Sequence, residues 1–162
     1  MSEAVTHAEL VRSAARWLRN TKGCTVVFTE FAAAERENPD AIGFEGERSI
    51  LVECKVSRAD FAADRNKPSR RIPAAGMGAE RYYMVPAGLM HARELPEKWG
   101  LLWVRDRHVQ VVRKSRGFPE RARGSEIGFL VSMLRRAELR IGAGTTLNAW
   151  LRWENRPGKV TL

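Results

Sequence analysis

The segment from Ser49 to Val56 is an apolar run interrupted by two opposite charges, and this pattern limits how it can fold. Successive side chains of a β-strand point to opposite faces, so Glu53 and Lys55 share one face while the apolar residues share the other. Asp40 lies thirteen residues before Glu53, directly after a proline. Two carboxylates can hold a divalent metal, and a nearby ammonium can orient a water. The pattern therefore predicts a strand that carries a metal site suited to cutting a phosphodiester.

The residues Pro39-Asp40 and Glu53-Cys54-Lys55 resemble the motif of the PD-(D/E)XK nuclease superfamily. The longer run from Glu53 to Arg65 looks like uncharacterised phage and bacterial members of that superfamily, and it is similar to the MmcB-like DNA-repair endonucleases. A second block, residues 76–102, is similar to the same phage and bacterial group. The resemblance covers residues 7 to 115, and the rest of the chain lies outside it.

This resemblance implies both a fold and an activity. The implied fold is α/β, with a restriction-endonuclease-like α-β-β-β-α-β core in which helices flank a mixed sheet. The implied activity is a Mg²⁺-dependent DNA endonuclease acting in DNA repair, recombination or phage DNA processing, with Mn²⁺ able to replace Mg²⁺. Asp40, Glu53 and the backbone carbonyl of Cys54 would hold the metal. Lys55 would contact the attacking water or stabilise negative charge on the phosphate.

A further carboxylate often joins such sites, and two residues are candidates for it. Glu30 follows the first predicted strand and is included in the catalytic set, because Thr29-Glu30 fits the phage and bacterial group. Glu9 is the alternative, because resolvases carry a glutamate in the first helix. Glu9 lies about 160° from the centre of its helix's apolar stripe, however, and helix capping also accounts for it.

Cationic side chains follow Lys55 closely and are candidates for contacts with a phosphate backbone. They are Arg58, Arg65, Lys67, Arg70 and Arg71. Residues 67–80 are rich in proline, glycine and basic residues, so we predict a loop whose cations are unpaired. A second basic run, from Arg105 to Arg123, is another candidate surface. A plain solvated surface is the alternative for both.

Composition indicates one globular domain with a polyanionic partner. The chain has 162 residues, of which 28 are basic and 19 acidic, so its net charge is +9 and its pI is near 10.4. This excess favours DNA, with an anionic membrane surface as the alternative. No apolar run is long enough to span a bilayer, and we expect a cytoplasmic protein in which Cys24 and Cys54 are buried, reduced thiols. A homodimer is one assembly that the sequence leaves open.

The apolar periodicity, caps and turn residues predict the order α-β-β-β-α-β, followed by a β-hairpin and a C-terminal helix. Thr6 can cap the first helix and Glu9 can complete a capping box, while Ser57 and Ser125 can cap two later helices. The predicted elements are a helix to about Asn20, strands Cys24–Thr29, Asp40–Phe44 and Ser49–Val56, a helix Arg58–Asn66, strands Arg81–Val85, Leu101–Arg105 and Val109–Arg113, and a helix Glu126–Arg140. Residues 1–141 form the predicted nuclease-like domain, and residues 142–162 form a tail with a short helix at Leu147–Trp153.

Two functions of different classes fit these observations. The first is the DNA endonuclease, and the second is a catalytically inactive module that binds nucleic acid with the same fold. The presence of Asp40, Glu53 and Lys55 together favours the enzyme, because inactive members of the superfamily usually lack at least one of the three.

Overall fold

A computed structural model describes residues 5–29 and 38–141, with side chains as far as residue 137. The helices are α1 (His7–Asn20), α2 (Arg58–Asp64), α3 (Pro68–Arg71) and α4 (Arg123–Ile141), and short 3-10 turns lie at Pro73–Ala75 and Ala92–Glu94. The strands are β1 (Val26–Thr29), β2 (Ala41–Glu45), β3 (Arg48–Cys54), β4 (Glu80–Pro86), β5 (Gly100–Arg105) and β6 (His108–Arg113).

The strands form one mixed sheet in the order β1-β2-β3-β4-β5-β6. The first three strands pair antiparallel, β3, β4 and β5 pair parallel, and β6 returns antiparallel to β5. Helices pack on both faces, so the predicted α/β architecture with a mixed, helix-flanked sheet is confirmed. Because β3, β4 and β5 are parallel, their carboxyl ends lie together at one edge of the sheet.

Helix α1 covers one face of this sheet. Its stripe of Leu10, Ala14 and Leu18 is fully buried and packs into one cluster with Val52 and Cys54 of β3. Each fully buried leucine contributes about 1.5–3 kcal/mol of transfer free energy. The predicted capping box is confirmed at the start of α1, since the side chains of Thr6 and Glu9 each bond the other's backbone nitrogen.

The opposite face is covered by α2 and α4. Phe61 of α2 and Phe129 of α4 pack in a second cluster with Leu51 and Tyr83 of the sheet. Leu51 precedes Glu53 by two residues, so the alternation of β3 directs Glu53 toward this second face. The charged pair therefore lies on the side of α2, and α1 lies on the other side.

Several predicted boundaries need correction. The segment predicted as a loop contains α3, because Pro68 occupies the first turn of a short helix, where its missing N–H costs nothing. Helix α4 begins at Arg123, ahead of the predicted cap at Ser125. The β5–β6 hairpin turns on two residues rather than three, since Arg105 pairs directly with His108.

Other expectations concern burial and the ends of the chain. Cys24 and Cys54 are both buried thiols, as predicted. Glu30 and the tail at residues 142–162, with its predicted short helix, lie outside the described residues. Within residues 5–29 and 38–141, no helix has the length and apolar character needed to cross a membrane.

Candidate metal centre

Asp40 lies directly before β2 and is hydrogen-bonded to the end of β3. Its Oδ2 accepts a hydrogen bond from the backbone nitrogen of Cys54 at 2.7 Å. Its Oδ1 lies 3.4 Å from Nε2 of His7, at the start of α1. The antiparallel pairing of Ala41 with Val52 brings these two strand ends together. Asp40 and the Glu53–Lys55 segment thus meet at the edge formed by the carboxyl ends of the parallel strands.

Glu53 is a buried carboxylate between two cations. Only 1% of the residue is exposed. Its Oε2 accepts a hydrogen bond from Nζ of Lys55 at 3.3 Å, and its Oε1 lies 2.8 Å from a terminal nitrogen of Arg70. Apart from this ion pair, Oε1 accepts no hydrogen bond among the described residues. One oxygen of this buried carboxylate therefore keeps unused acceptor capacity.

Burial is the main cause that raises the pKa of Glu53, to about 7. The positive charge of Arg70 opposes this effect, whereas the negative charge of Asp40 adds to it. Burial lowers the pKa of Arg70, but the charge of Glu53 and the hydrogen bond to Asp64 raise it by more. The pKa of Arg70 therefore lies above its ordinary value. The ion pair is therefore attractive, yet the attraction does not offset the cost of burying the Glu53 charge. The effect of Asp40 on Glu53 indicates that the two carboxylates lie close enough to repel one another.

Asp64 is a member of the site that the sequence motif does not include. It ends α2, is buried, and accepts hydrogen bonds from Nε of Arg70 and from the hydroxyl of Tyr83, each at 2.7 Å. The Nζ atoms of Lys67 and Lys55 lie 2.7 and 3.5 Å from its Oδ1. Burial opposes its ionisation, but these hydrogen bonds hold the pKa of Asp64 well below its ordinary value. The sequence signal that could have identified Asp64 is its position at the end of the helix that follows Lys55, on the helix face that packs against the sheet.

Arg70 was predicted to be an unpaired loop cation, and that expectation is wrong. It lies on α3, is buried, and pairs with both Asp64 and Glu53. Its guanidinium also lies 4.7 Å from the centre of the Trp99 ring. The short helix that begins at Pro68 turns this side chain inward, so Arg70 stabilises the buried carboxylates.

The other predicted phosphate-binding cations stay on the surface. They are Arg58, Arg65, Lys67 and Arg71. Arg58 pairs with Glu94 and also donates to the carbonyl of Leu89 at 3.1 Å, and Lys67 pairs with Asp64. The expectation of unpaired cations is thus wrong for Lys67 as well. Oδ1 of Asp60 lies 3.8 Å from Nζ of Lys55.

Asp40 and Glu53 are the two carboxylates of the motif at this position, whereas Asp64 is already bonded to Arg70, Lys67 and Tyr83. No group of three histidine, cysteine or acidic residues forms a metal cluster in the part of the chain that the structure describes. Mg²⁺ is commonly held by one or two carboxylates and several waters, so the donor set fits a hard cation. Glu9 remains in its capping box, where its carboxylate bonds Thr6.

Comparisons with known proteins give a fold and no activity. No family model matches the chain. No curated protein matches it. A solved structure of the SPO1766 protein of unknown function from Silicibacter pomeroyi is similar, with a TM-score of 0.63 and 25% sequence identity. The similarity covers 91% of this chain and 99% of that chain.

Proposed function

We propose that this chain is a metal-dependent nuclease of the PD-(D/E)XK type that hydrolyses phosphodiester bonds in DNA. The observation that carries the proposal is that Lys55, directly after β3, contacts the carboxylate of Glu53 on that strand, while Asp40 is bonded to the end of the same strand. The net charge of +9 favours a polyanionic substrate.

The order of the elements supports a restriction-endonuclease-like core. Helix α1 precedes three antiparallel strands, and α2 with the short α3 connects β3 to the parallel strand β4. This is the α-β-β-β-α-β order that the resemblance implies. In this arrangement Asp40 precedes the second strand of the core and Glu53 lies near the end of the third.

The carboxylates of Asp40 and Glu53, with the backbone carbonyl of Cys54, would hold Mg²⁺ or Mn²⁺. The metal would supply positive charge beside the phosphate and a water that ionises more easily. The acceptor capacity left on Oε1 of Glu53 supports this assignment. Asp40 is positioned for the role by the backbone nitrogen of Cys54, which fixes one of its oxygens.

Lys55 would act as a charged donor rather than as a general base. Burial lowers the pKa of its ammonium, but the charges of Glu53 and Asp64 raise it more, so the pKa lies above its ordinary value. Lys55 therefore stays protonated at neutral pH. It can donate a hydrogen bond to the attacking water or to a phosphate oxygen as negative charge develops there.

A nucleic-acid-binding module without catalytic activity is the second candidate. The observation in its favour is that Lys55 and Arg70 by themselves compensate the charge of Glu53. In such a protein the three charged groups would be a structural ion-pair network, which buried charges require in any case.

A cleavage assay separates the two candidates. Single-stranded, duplex and branched DNA and RNA would be incubated with the protein in Mg²⁺, Mn²⁺, Ca²⁺ or EDTA. We expect cleavage of DNA with Mg²⁺ or Mn²⁺ and none with EDTA. Asp40→Asn and Glu53→Gln should each abolish it, and Lys55→Met should lower the rate by at least about 100-fold.

Glu97→Gln is the matched control, because it removes one exposed carboxylate from the surface and should leave the rate unchanged. Unfolding midpoints would show whether each variant is folded. Full activity in a folded Glu53→Gln variant would exclude this site. Metal-independent binding without cleavage of any nucleic acid would favour the inactive module.

A further inference from the structure

An open cleft lies between α1 and the carboxyl ends of β4 and β5, away from the face that carries Glu53. Its volume is about 730 Å³. Four arginines line it: Arg12 and Arg16 from α1, and Arg105 and Arg107 from the β5–β6 hairpin. Arg12 and Arg16 are four residues apart on a helix, so they lie on the same face, one turn apart.

The positive charge of this cleft is only partly compensated within the described residues. All four arginines are exposed, and none has a carboxylate oxygen within 4.0 Å in that part of the chain. Two acids, Glu9 and Asp106, also line the cleft. Glu9 accepts hydrogen bonds from the backbone nitrogen and the hydroxyl of Thr6, at 2.8 and 2.9 Å. The cleft thus carries four cations against two acids.

Opposite walls of the cleft face one another closely enough to interact. Hydrogen bonds from Thr6 are the largest cause that lowers the pKa of Glu9, and the charges of Arg12 and Arg107 lower it further. Arg12 belongs to α1 and Arg107 to the hairpin turn. Both walls therefore direct positive charge into the same space, where one phosphate backbone could contact both of them.

The hairpin turn presents Arg107 in an unusual way. Asp106 and Arg107 have φ angles of 48° and 67°, which lie in the left-handed region. A two-residue hairpin turn requires such angles, and asparagine or glycine adopts them at the lowest cost. Arg107 therefore lies at the mouth of the cleft, at a backbone position that favours glycine.

The cleft and the candidate metal centre open at the same edge of the sheet. Arg105 ends β5, Cys54 ends β3, and these strands run parallel with β4 between them. The axes of β3 and β5 are two strand spacings apart, which is roughly 10 Å. Arg105 lies three residues beyond Leu102, the residue that is level with Cys54 through Met84. His7, in the first turn of α1, lies against Asp40, so the amino end of α1 borders both places.

We infer that this cleft binds the phosphate backbone of a nucleic-acid strand next to the candidate metal centre. Guanidinium groups bind phosphate through two parallel hydrogen bonds, and contacts of this kind give affinity without reading sequence. The inference deepens the proposed nuclease function and rests on it for the identity of the substrate. The cleft would hold the strand on one side of the phosphate that is cut.

The test is a binding titration of the full chain in EDTA, with a fluorescent 20-nucleotide DNA strand and its duplex as probes at several salt concentrations. The variant Arg12→Gln/Arg107→Gly removes one cation from each wall, and the glycine relaxes the turn. We expect affinity for unrelated sequences to fall by roughly tenfold or more. For each phosphate that the variant no longer neutralises, the slope of log affinity against log salt should shrink by roughly 0.7 with the single strand and roughly 0.9 with the duplex.

Arg93→Gln/Arg135→Gln is the matched control, because it makes the same charge change at exposed residues outside the cleft. Equal affinities and equal salt slopes for the two double variants would overturn the inference. A wild type that binds neither probe would also overturn it. Phosphatidylserine vesicles would be titrated in the same way, and a cleft variant that loses binding to the vesicles but keeps binding to DNA would overturn it as well.

The nuclease proposal can fail separately from this inference. If the wild type cleaves no nucleic acid in Mg²⁺ while the cleft variant still loses DNA affinity, the cleft assignment stands and the nuclease does not. If the cleft variant binds DNA as the control does and cleaves normally, the nuclease stands and the cleft assignment fails.

Discussion

The guanidinium of Arg70 lies between two buried carboxylates and contacts both of them. Nε lies 2.7 Å from Oδ2 of Asp64, and a terminal nitrogen lies 2.8 Å from Oε1 of Glu53. Removing one partner from a buried ion pair leaves an uncompensated charge, which is far more costly than the pair is worth when intact. Arg70 therefore favours the ionised form of Asp64 and opposes the rise that burial causes in the pKa of Glu53.

This arrangement predicts a sharp difference between two adjacent arginines. Arg70→Gln should lower the free energy of unfolding by about 3 kcal/mol, because Glu53 and Asp64 lose a shared cation. Arg71→Gln should change it by no more than about 0.5 kcal/mol, because Arg71 is exposed and makes one long hydrogen bond to Asn66. Urea denaturation of the two variants measures this difference. Similar losses of stability in both variants would contradict the structural role given to Arg70.

At the scale of single residues, the sequence predicted the side to which a side chain points better than the residues that it contacts. The alternation of the predicted strand put Glu53 and Lys55 on one side, and the two side chains are in contact, because strand periodicity is a local property. The partners of Glu53 depend on how α2 and α3 pack against the sheet. Arg70 follows Glu53 by seventeen residues, and no local pattern shows that its helix turns inward.

At the scale of elements, α4 is joined to the sheet by a buried acid. Oε1 of Glu126 accepts hydrogen bonds from the hydroxyl of Ser49 at 2.6 Å and from the backbone nitrogen of Gly78 at 2.8 Å. Nε of Arg121 donates to the same carboxylate at 3.0 Å. The side chain of Glu126 thus connects α4 to β3, to the segment before β4 and to the loop that precedes α4.

We expect Glu126→Ala to destabilise the protein by about 3 kcal/mol, because it leaves several buried donors without an acceptor. The exposed Glu120 provides the matched control, and Glu120→Ala should stay within about 0.5 kcal/mol of the wild type. Hydrogen exchange of the Gly78 amide would locate the effect, since this amide should lose protection in Glu126→Ala. Unchanged protection at Gly78 would argue against the proposed connection.

Elements with strong local signals were the ones that the sequence predicted well. The capping box of Thr6 and Glu9 marked the start of α1, and the apolar stripe marked its buried face. Helix α3 was missed because prolines and basic residues are typical of loops, and only four residues are helical. The two-residue turn at Asp106 and Arg107 was missed because its second position carries Arg107 in place of the glycine that such a turn usually has.

At the scale of the whole molecule, sheet topology decides which distant residues meet. The order of strands and helices could be predicted from periodicity, and the mixed sheet agrees with it. The parallel run of β3, β4 and β5 then brings Lys55 and Arg105 to one edge. No pattern in the sequence groups Arg12 and Arg16 with the hairpin, because that grouping arises only when α1 packs on the sheet.

Anomalous X-ray diffraction from crystals soaked in MnCl₂ would show directly whether Asp40 and Glu53 bind a metal together. We predict an anomalous peak within coordinating distance of both carboxylates, and its loss in an Asp40→Asn/Glu53→Gln variant. Mn²⁺ takes the same oxygen ligands as Mg²⁺ and serves as its visible substitute. An empty position beside Glu53 at saturating Mn²⁺, with the carboxylate still held only by Lys55 and Arg70, would contradict the proposed metal centre.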